Sequence, residues 1–542
     1  MFLESLKIEN FKGFGDNSDP IPIRPITILL GPNSAGKSSI IQAICLAVET
    51  LEKCSANVSK TALSGDFIDL GGYYNYVNRQ TNKDTIKIEF QFSYPMIKPI
   101  TTDECKFQLV IPGPEFPQLW YNDIPIYKES PYTHKIDIDE SEIAEILIKK
   151  FDLPWFPKPM IRVHDFECVW EGNMTPSPNE SGLFIKFEFD DLVLDLITDN
   201  QYKPIGDINI IEKIKKWKST DYKKFIKKLK KFNKNFINHI IDFKEFQKGI
   251  GYLGPIRKVI GSQGLDASTI NRPDGSDSIV KIATSTEVQG QIKEINHWLT
   301  RVQDKLQLKE IKTIQTGQLF VDQIITAMWA ADQDRSDITG IDEYRDNFES
   351  YLNSGKVNKP ITFYKLILHD DVRGIDLGPN ELGIGISQFI PVLFRMLDPD
   401  YKLAMFEQPE LHLHPKAQSE LGDLLLYAAL GYESGNSGPS LPLQKKTIII
   451  ETHSEHILLR ILKRIREEYL SGNTKLAEEL ANSVALIYVE TVSQDTPVWL
   501  QLDPNNVHKT TFTKAQRIEI NSNGSFAQEW PYGFFMERIS EL

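Results

Sequence analysis

Pro25-Ile-Thr-Ile-Leu-Leu30 runs without a break into Gly31-Pro-Asn33-Ser-Ala-Gly36-Lys37-Ser38, and an apolar-periodic stretch, IIQAICLAV, follows Ser39. The order is strand, G-x-x-x-x-G-K-S loop, helix. Glycines let the backbone turn its N–H groups toward a phosphate chain, and the helix N-terminus adds the positive end of its dipole. In this pattern a lysine reaches the β and γ phosphates and the following hydroxyl ligates Mg²⁺, roles that fall to Lys37 and Ser38. Asn33, Gly36, Lys37, Ser38 and Ser39 are therefore the predicted contacts to a bound nucleotide.

Two more runs of buried-strand type lie far down the chain. Leu403 to Phe406 (LAMF) ends in Glu407-Gln408-Pro409-Glu410. A carboxylate at the carboxyl end of such a strand faces the nucleotide's metal, so Glu407 is the predicted second Mg²⁺ partner beside Ser38. Thr447 to Ile450 (TIII) ends in Glu451-Thr452-His453-Ser454 and brings an imidazole to the same sheet edge. Upstream of LAMF, Gly383-Ile-Gly385-Ile-Ser387-Gln388 opens an apolar helix, FIPVLFRML. A second helix N-terminus carrying a serine is a second anion site.

The rest of the composition sets bounds. At roughly 150 residues per domain, a chain of 542 holds two to four units. Apolar residues at 41% and charged residues at 25% give a globular balance that excludes disordered, collagen-like and disulfide-scaffold chains. Cys45, Cys54, Cys105 and Cys168 form no C-x-x-C pair, so no zinc ribbon or disulfide framework is encoded. No window reaches about eighteen consecutive apolar residues, and MFLESLKIENFKGF carries charges where a signal peptide is apolar, so a cytoplasmic chain with no membrane partner is expected.

A net charge of −13 argues against wholesale wrapping of nucleic acid. The charge is uneven, however: between Lys213 and Lys248 there are thirteen lysines and three acids. Apolar residues there, from Tyr222, Phe225 and Ile226 to Ile240 and Ile241, recur at spacings of three and four, which predicts an amphipathic helix with a lysine-rich outer face. That face is either solvated or a phosphate-contacting surface. In the second case Lys223, Lys224, Lys227 and Lys228 touch DNA, giving affinity and salt dependence without base reading.

Taken in order, these pieces resemble the ABC-type ATPase head of SMC proteins and of the OLD-like (overcoming lysogenization defect) ATPases. By that resemblance Lys37 and Ser38 match the Walker A motif, Gly385, Ser387 and Gln388 the signature, Glu407 and Gln408 the Walker B pair, and His453 the switch histidine. It implies ATP and Mg²⁺ as cofactors, ATP hydrolysis as the reaction, and a homodimer with nucleotide sandwiched between heads. More narrowly, NELGIGISQFIPVL, EQPELHLHP, THSEHILLR and WPYGFFMERISEL look like a bacterial AAA-family ATPase group ending in a short domain of unknown function, whose relatives occur in anti-phage defence operons. The likeness covers residues 1 to about 90 and about 250 to 542.

Two rivals share the cassette. In a transporter subunit the signature follows Walker A by roughly a hundred residues, whereas Lys37 and Ser387 stand 350 positions apart. In an SMC protein a long coiled coil intervenes, and no sustained heptad is found here. The insertion is therefore expected to be compact. OLD nucleases add a Toprim domain with clustered acids; Glu490 and Asp503 are isolated, so any nuclease is expected in trans.

Departures from the cassette pattern also matter. Where most heads place a water-activating glutamate, this chain has Gln408, and an amide cannot act as a base. Either turnover is slow or Glu410 takes the role, with the balance toward slow turnover and Glu410 contributing. No Q-loop glutamine is assigned; Gln80 is only a guess. His412, His414, His453 and His456 already sit in nucleotide loops, which outweighs a zinc reading. His369-Asp370-Asp371 precedes a turn and reads as a hairpin tip.

The predicted fold is α/β, a two-lobed P-loop ATPase head with a mixed sheet, a compact α+β insertion and a small β-rich tail. Expected boundaries are 1–94 for the first lobe, 95–250 for the insertion ending in the lysine helix, and 251–359 for a return segment and mostly helical region. Residues 360–490 form the second lobe, carrying signature, Walker B and switch, and 491–542 the tail. Tyr252-Leu-Gly-Pro-Ile-Arg257 returns the chain to the head, with Arg257 a candidate for facing phosphate. Two functions are carried forward: an ATP-dependent switch and scaffold of a defence complex controlling a separate nuclease or other effector, and an SMC-like clamp for DNA repair or chromosome maintenance.

Overall fold

The computed structural model describes residues 2–53, 70, 73–81, 85–93, 105–111, 118–121, 124–128, 161–164, 186–189, 192–195, 242–243, 245–257, 274–275, 292–304, 306–316, 361–434, 445–495 and 509–528. The chain divides into two compact units: residues 1–255, 399–410 and 418–542 in the first, 256–398 and 411–417 in the second.

The first unit is organised by a six-stranded sheet in the order β11-β15-β16-β3-β17-β18. Four strands, β3 (Ile26–Leu30), β11 (Ile250–Leu253), β15 (Leu403–Glu407) and β16 (Thr447–Glu451), are buried at every residue. Runs such as ITILL and TIIIE have no polar alternation, the pattern of parallel strands covered on both faces. They pair in parallel, β11 with β15, β15 with β16 and β16 with β3, so their carboxyl ends share one edge. β17 (Val484–Asp495) continues the sheet in parallel beside β3, and β18 (Lys509–Ile518) returns antiparallel to it.

A second sheet, β2-β1-β4-β5-β6-β7, uses the opposite sequence logic. β4 (Ile86–Ser93), IKIEFQFS, alternates buried and half-buried residues, as an antiparallel strand with one core face should. It pairs with β1 (Phe2–Glu9) on one side and β5 (Cys105–Ile111) on the other. Pairing of β4 with β5, and onward through β6 (Gln118–Tyr121) and β7 (Ile124–Lys128), carries this sheet past the boundary expected at 94/95. β2 (Ile21–Pro22) completes it beyond β1. A short sheet of β8 (Ile161–His164), β9 (Lys186–Phe189) and β10 (Leu192–Asp195) lies within the expected insertion.

Phe243 stacks on Phe107 at 4.1 Å between centroids and Phe246 meets Phe92 edge-on at 4.9 Å, so the end of the lysine-rich segment docks into this core. Burying two such rings contributes about 1.5–3 kcal/mol each. Lys223, Lys224, Lys227 and Lys228 lie outside the described residues.

α1 (Lys37–Lys53) leaves the loop after β3. In the second unit α2 (Ile292–Val302) leads into β12 (Leu306–Thr316), which pairs along its length with β13 (Ile361–Asp370). The region expected to be mostly helical therefore contains a long strand; a bulge between Leu308 and Glu310 breaks the alternation that reveals strands in sequence. β14 (Ile375–Leu377) pairs back on β13 across the turn after Asp370, where a hairpin tip was expected. α3 (Ile384–Leu397) follows.

In the first unit the chain then passes through β15. α4 (Pro415–Leu430) comes next, and its stretch from Gln418 onward is packed with α5 (Glu455–Leu470). Arg464 donates from Nε and Nη2 to the two oxygens of Asp423, at 2.7 and 2.8 Å, while Arg460 reaches the same carboxylate at 2.7 Å. Two expected boundaries fail here. The signature helix belongs to the second unit while LAMFE and TIIIE belong to the first, so 360–490 is not one lobe. The edge at 490/491 falls inside β17, and β18 completes the central sheet, so the tail's strands are part of the head. Among the described residues no helix is long and apolar enough to cross a membrane.

Candidate functional site

The loop between β3 and α1 bends through positive φ at Gly31 (139°), Ser34 (62°) and Gly36 (106°). Asn33 is exposed at its tip. Lys37 is only 3% exposed. Its Nζ donates to the carbonyls of Gly31 at 3.0 Å and Pro32 at 2.8 Å, and lies 3.9 Å from Glu451 Oε1. Burial pulls its pKa down and Glu451 opposes that fall. Ser38 donates its hydroxyl to Glu451 Oε2 at 2.6 Å. Ser39 N–H turns back to Gly36 O at 3.1 Å, closing the first turn of the helix.

Glu407 and Glu451 end β15 and β16 as register partners. Glu407 accepts the Tyr252 hydroxyl at 2.9 Å. Its carboxyl is pushed up to about 7, first by burial and then by the Glu451 charge, against the Tyr252 bond and the attraction of Lys12. The Tyr252 phenol is pushed up as well, by burial and by Glu407. Gln408 sits at φ 45° with its N–H on Glu451 O at 2.7 Å. Glu410 is buried, and its Oε1 accepts the backbone N–H of His453 at 2.9 Å. His453 is half-buried, its pKa lowered by burial and by Lys37.

The parallel edge thus brings together Lys37, Ser38, Glu407, Glu410 and His453 as the motifs predicted. It adds three residues that sequence reasoning missed. Glu451 is the last residue of TIIIE and its partnership with Glu407 depends on strand order, which motif spacing does not give. Tyr252 lies in the return segment, where no local spacing signals that its hydroxyl meets Glu407. Lys12, in NFKGFG, has φ 49°, bonds its ammonium to Gln42, and is lowered in pKa by burial while Glu407 holds it up.

Two carboxylates and a hydroxyl are hard oxygen donors of the kind Mg²⁺ takes. Glu407 and Glu451 are register partners at the strand ends and Ser38 lies on Glu451, so the donor set on this edge fits the metal. Lys37 and the loop fit a phosphate chain on the same terms: a buried ammonium beside a carboxylate is a cation available to an anion that displaces its carbonyl partners.

The predicted signature residues belong to the second unit. Gly383 caps α3; Ser387 is buried, its hydroxyl donating to Ile384 O at 3.0 Å. Gln388 donates its amide to Arg257 O at 2.9 Å, tying the signature to the return segment. Arg257 is itself buried. Gly385 has a packing reason: a Cβ there would come within 2.4 Å of His412 O. Ile384, at the start of the helix, is 59% exposed. Gln80, the Q-loop guess, accepts the Thr511 N–H at 3.0 Å and so faces β18.

A family model described as an AAA ATPase domain matches residues 1–458. No curated protein matches the chain. Among solved structures, it is similar to the Smc head bound to the C-winged helix domain of ScpA, at 11% identity over 96% of this chain and 98% of that one, with a TM-score of 0.39. It is also similar to the SMC head domain from Thermotoga maritima, at 11% identity over 96% and 100% with a TM-score of 0.30. The recombination mediator RecF with ATP matches at 8% identity over 83% and 93%, with a TM-score of 0.30.

Proposed function

We propose that the chain, which belongs to the AAA ATPase domain family, is an ABC-type P-loop head working as a slow, ATP-gated dimeric switch. In this reading it is the scaffold subunit of a bacterial anti-phage defence complex whose nuclease or other effector is a separate polypeptide. The observation that carries the ATP reading is the gathering of Lys37, Ser38, Glu407, Glu451 and His453 at one edge of the parallel sheet. The defence assignment is supported by the motif likeness of NELGIGISQFIPVL, EQPELHLHP and THSEHILLR to a group found in defence operons.

Lys37 would exchange the carbonyls of Gly31 and Pro32 for the phosphate chain, and Ser38, Glu407 and Glu451 are the residues that would hold the cation. A Mg²⁺ ion held there would supply neutralisation of the charge that develops on the phosphates. Tyr252 keeps Glu407 from rotating away. Gln408 orients water without taking a proton, so hydrolysis is slow; Glu410 and His453, joined through the His453 N–H, position the nucleophile from the switch side. Ser387 and Gln388 meet the nucleotide held by a second copy, with exposed Ile384 at that face. ATP is then the ligand that closes the dimer and hydrolysis the event that opens it.

Mass photometry with ATP and Mg²⁺ tests this directly. Wild type should shift from monomer to dimer, Lys37→Ala should not, and a mixture of Lys37→Ala with Ser387→Arg should recover partial turnover by forming one intact site. Monomer under all conditions would sink the switch. Topological capture of duplex DNA by the dimer, with no effector co-purifying, would instead support the chromosome-maintenance clamp.

A further inference from the structure

Strands from the far end of the chain close over the outside of the phosphate loop. Thr513, on β18, donates its backbone N–H to Gly13 O at 2.7 Å and its hydroxyl to Ala35 O at 3.1 Å. A Cβ placed on Gly36 would come within 2.7 Å of Thr513 Oγ1 and 2.9 Å of its methyl carbon. Gly13 is tighter still, at 2.2 Å from the same oxygen. One threonine is thus packed against both glycine-bearing loops of the site, and β18 is held in place by its pairing with β17 and by Gln80 on Thr511 N–H.

The bond to Ala35 has a directional consequence. A trans peptide is planar, with its C=O and the following N–H pointing opposite ways. No peptide among the described residues is cis. Holding the Ala35 carbonyl outward on Thr513 therefore turns the Gly36 N–H inward, to the side where a phosphate lies in a G-x-x-x-x-G-K-S loop. At φ 106° Gly36 has little steric restraint of its own, so an external anchor determines where this peptide points.

We propose that Thr513 is a positioning residue for phosphate recognition, its hydroxyl fixing the Ala35–Gly36 peptide so that the Gly36 N–H faces the phosphate chain. This deepens the ATP-binding reading and rests on it. Recognition of the nucleotide then depends on a residue more than four hundred positions from the loop it serves, beyond the reach of the motif.

The test separates the hydroxyl from the bulk of the side chain. Thr513→Val keeps the shape and loses the donor; Thr513→Ser keeps the donor and loses the methyl. Affinities for a fluorescent ATP analogue and for competing inorganic tripolyphosphate are measured on the full chain, with KM and kcat for ATP. Thr513→Val should weaken both ligands by the same factor, about three- to tenfold for one net hydrogen bond, raising KM with kcat nearly unchanged. Thr513→Ser should bind as wild type does. Wild-type affinity in the Val protein, or weakened binding in the Ser protein, overturns the proposal; if the Val protein does not fold, Thr513→Ala, which also loses the donor, is compared with the Ser protein in its place, and equal wild-type affinity in the two overturns the proposal. Failure of wild type to bind either ligand would sink the ATP reading itself and is told apart by that control.

Discussion

Glu407 and Glu451 stand side by side at the ends of adjacent parallel strands, each held by a different hydroxyl, Tyr252 at 2.9 Å and Ser38 at 2.6 Å. The pairing has a cost in the metal-free protein. Glu407's carboxyl is pushed up from 4.5 to about 7, first by burial and then by Glu451. A folded state that holds this proton more tightly than the unfolded chain is favoured below 4.5, loses that advantage as pH rises toward 7, and changes no further above it. Glu407→Gln keeps an acceptor for Tyr252 and removes the charge. In chelator, urea unfolding should find the variant close to wild type near about pH 5 and more stable near about pH 8, by roughly 3 kcal/mol at most. A difference that does not grow with pH would mean that neither burial nor Glu451 raises the Glu407 carboxyl.

Glu451 also bears on Ser38 and Lys37, which makes it more than a neighbour. Glu451→Gln leaves an oxygen for the Ser38 hydroxyl and takes away the charge a cation needs. The apparent Mg²⁺ affinity, read from turnover at fixed ATP, should fall about 10- to 100-fold, while nucleotide binding in chelator changes little. An unchanged Mg²⁺ dependence would reduce Glu451 to a strut for Ser38.

How much of this was legible follows from where the information resides. β3, β15 and β16 announce themselves as unbroken apolar runs, and each ends in or leads by a short loop into its chemistry, so Lys37, Ser38, Glu407 and His453 could be placed from local sequence. The Glu407–Glu451 pair could not, because it requires knowing that β16 lies between β15 and β3. Thr513 reaches the loop only because β18 folds back on β17. β12 hid behind a bulge, and the split of signature from LAMFE between two units depends on long-range contacts that no period reports.

Gln408 makes a claim about rate. Its backbone is fixed to Glu451 O at 2.7 Å in a left-handed turn, while Glu410 spends one oxygen on the His453 N–H. In the proposed reading, a glutamate at 408 supplies a base where Gln408 offers only an amide. Gln408→Glu should therefore raise turnover and shorten the life of the ATP-bound dimer, and Glu410→Gln should lower the remaining rate, by up to about two orders of magnitude if it contributes as a general base. Steady-state ATPase assays decide between accounts: if Gln408→Glu leaves turnover unchanged while Glu410→Gln abolishes it, Glu410 alone holds the water and the site is not built to be slow.

Two glycines at the start of α3 separate packing from ligand contact. A Cβ on Gly385 would lie 2.4 Å from His412 O, a backbone atom that cannot swing aside, whereas a Cβ on Gly383 meets nothing within 4 Å. Gly383 also has φ −60°, which alanine adopts without strain. On packing alone, Gly385→Ala should lower stability by about 1–3 kcal/mol, and Gly383→Ala should cost well under 1 kcal/mol. Lys37 lies in the other unit, so binding of a fluorescent ATP analogue to the monomer should survive both changes. Turnover is the discriminating measurement. If the signature meets the nucleotide of a second copy, an added methyl at Gly383 obstructs that approach, and Gly383→Ala should suppress turnover and ATP-dependent dimerisation while leaving the melting temperature in place. Normal turnover in a stable Gly383→Ala protein would mean that this helix start never contacts a nucleotide, and would remove Ser387 and Gln388 from the site with it.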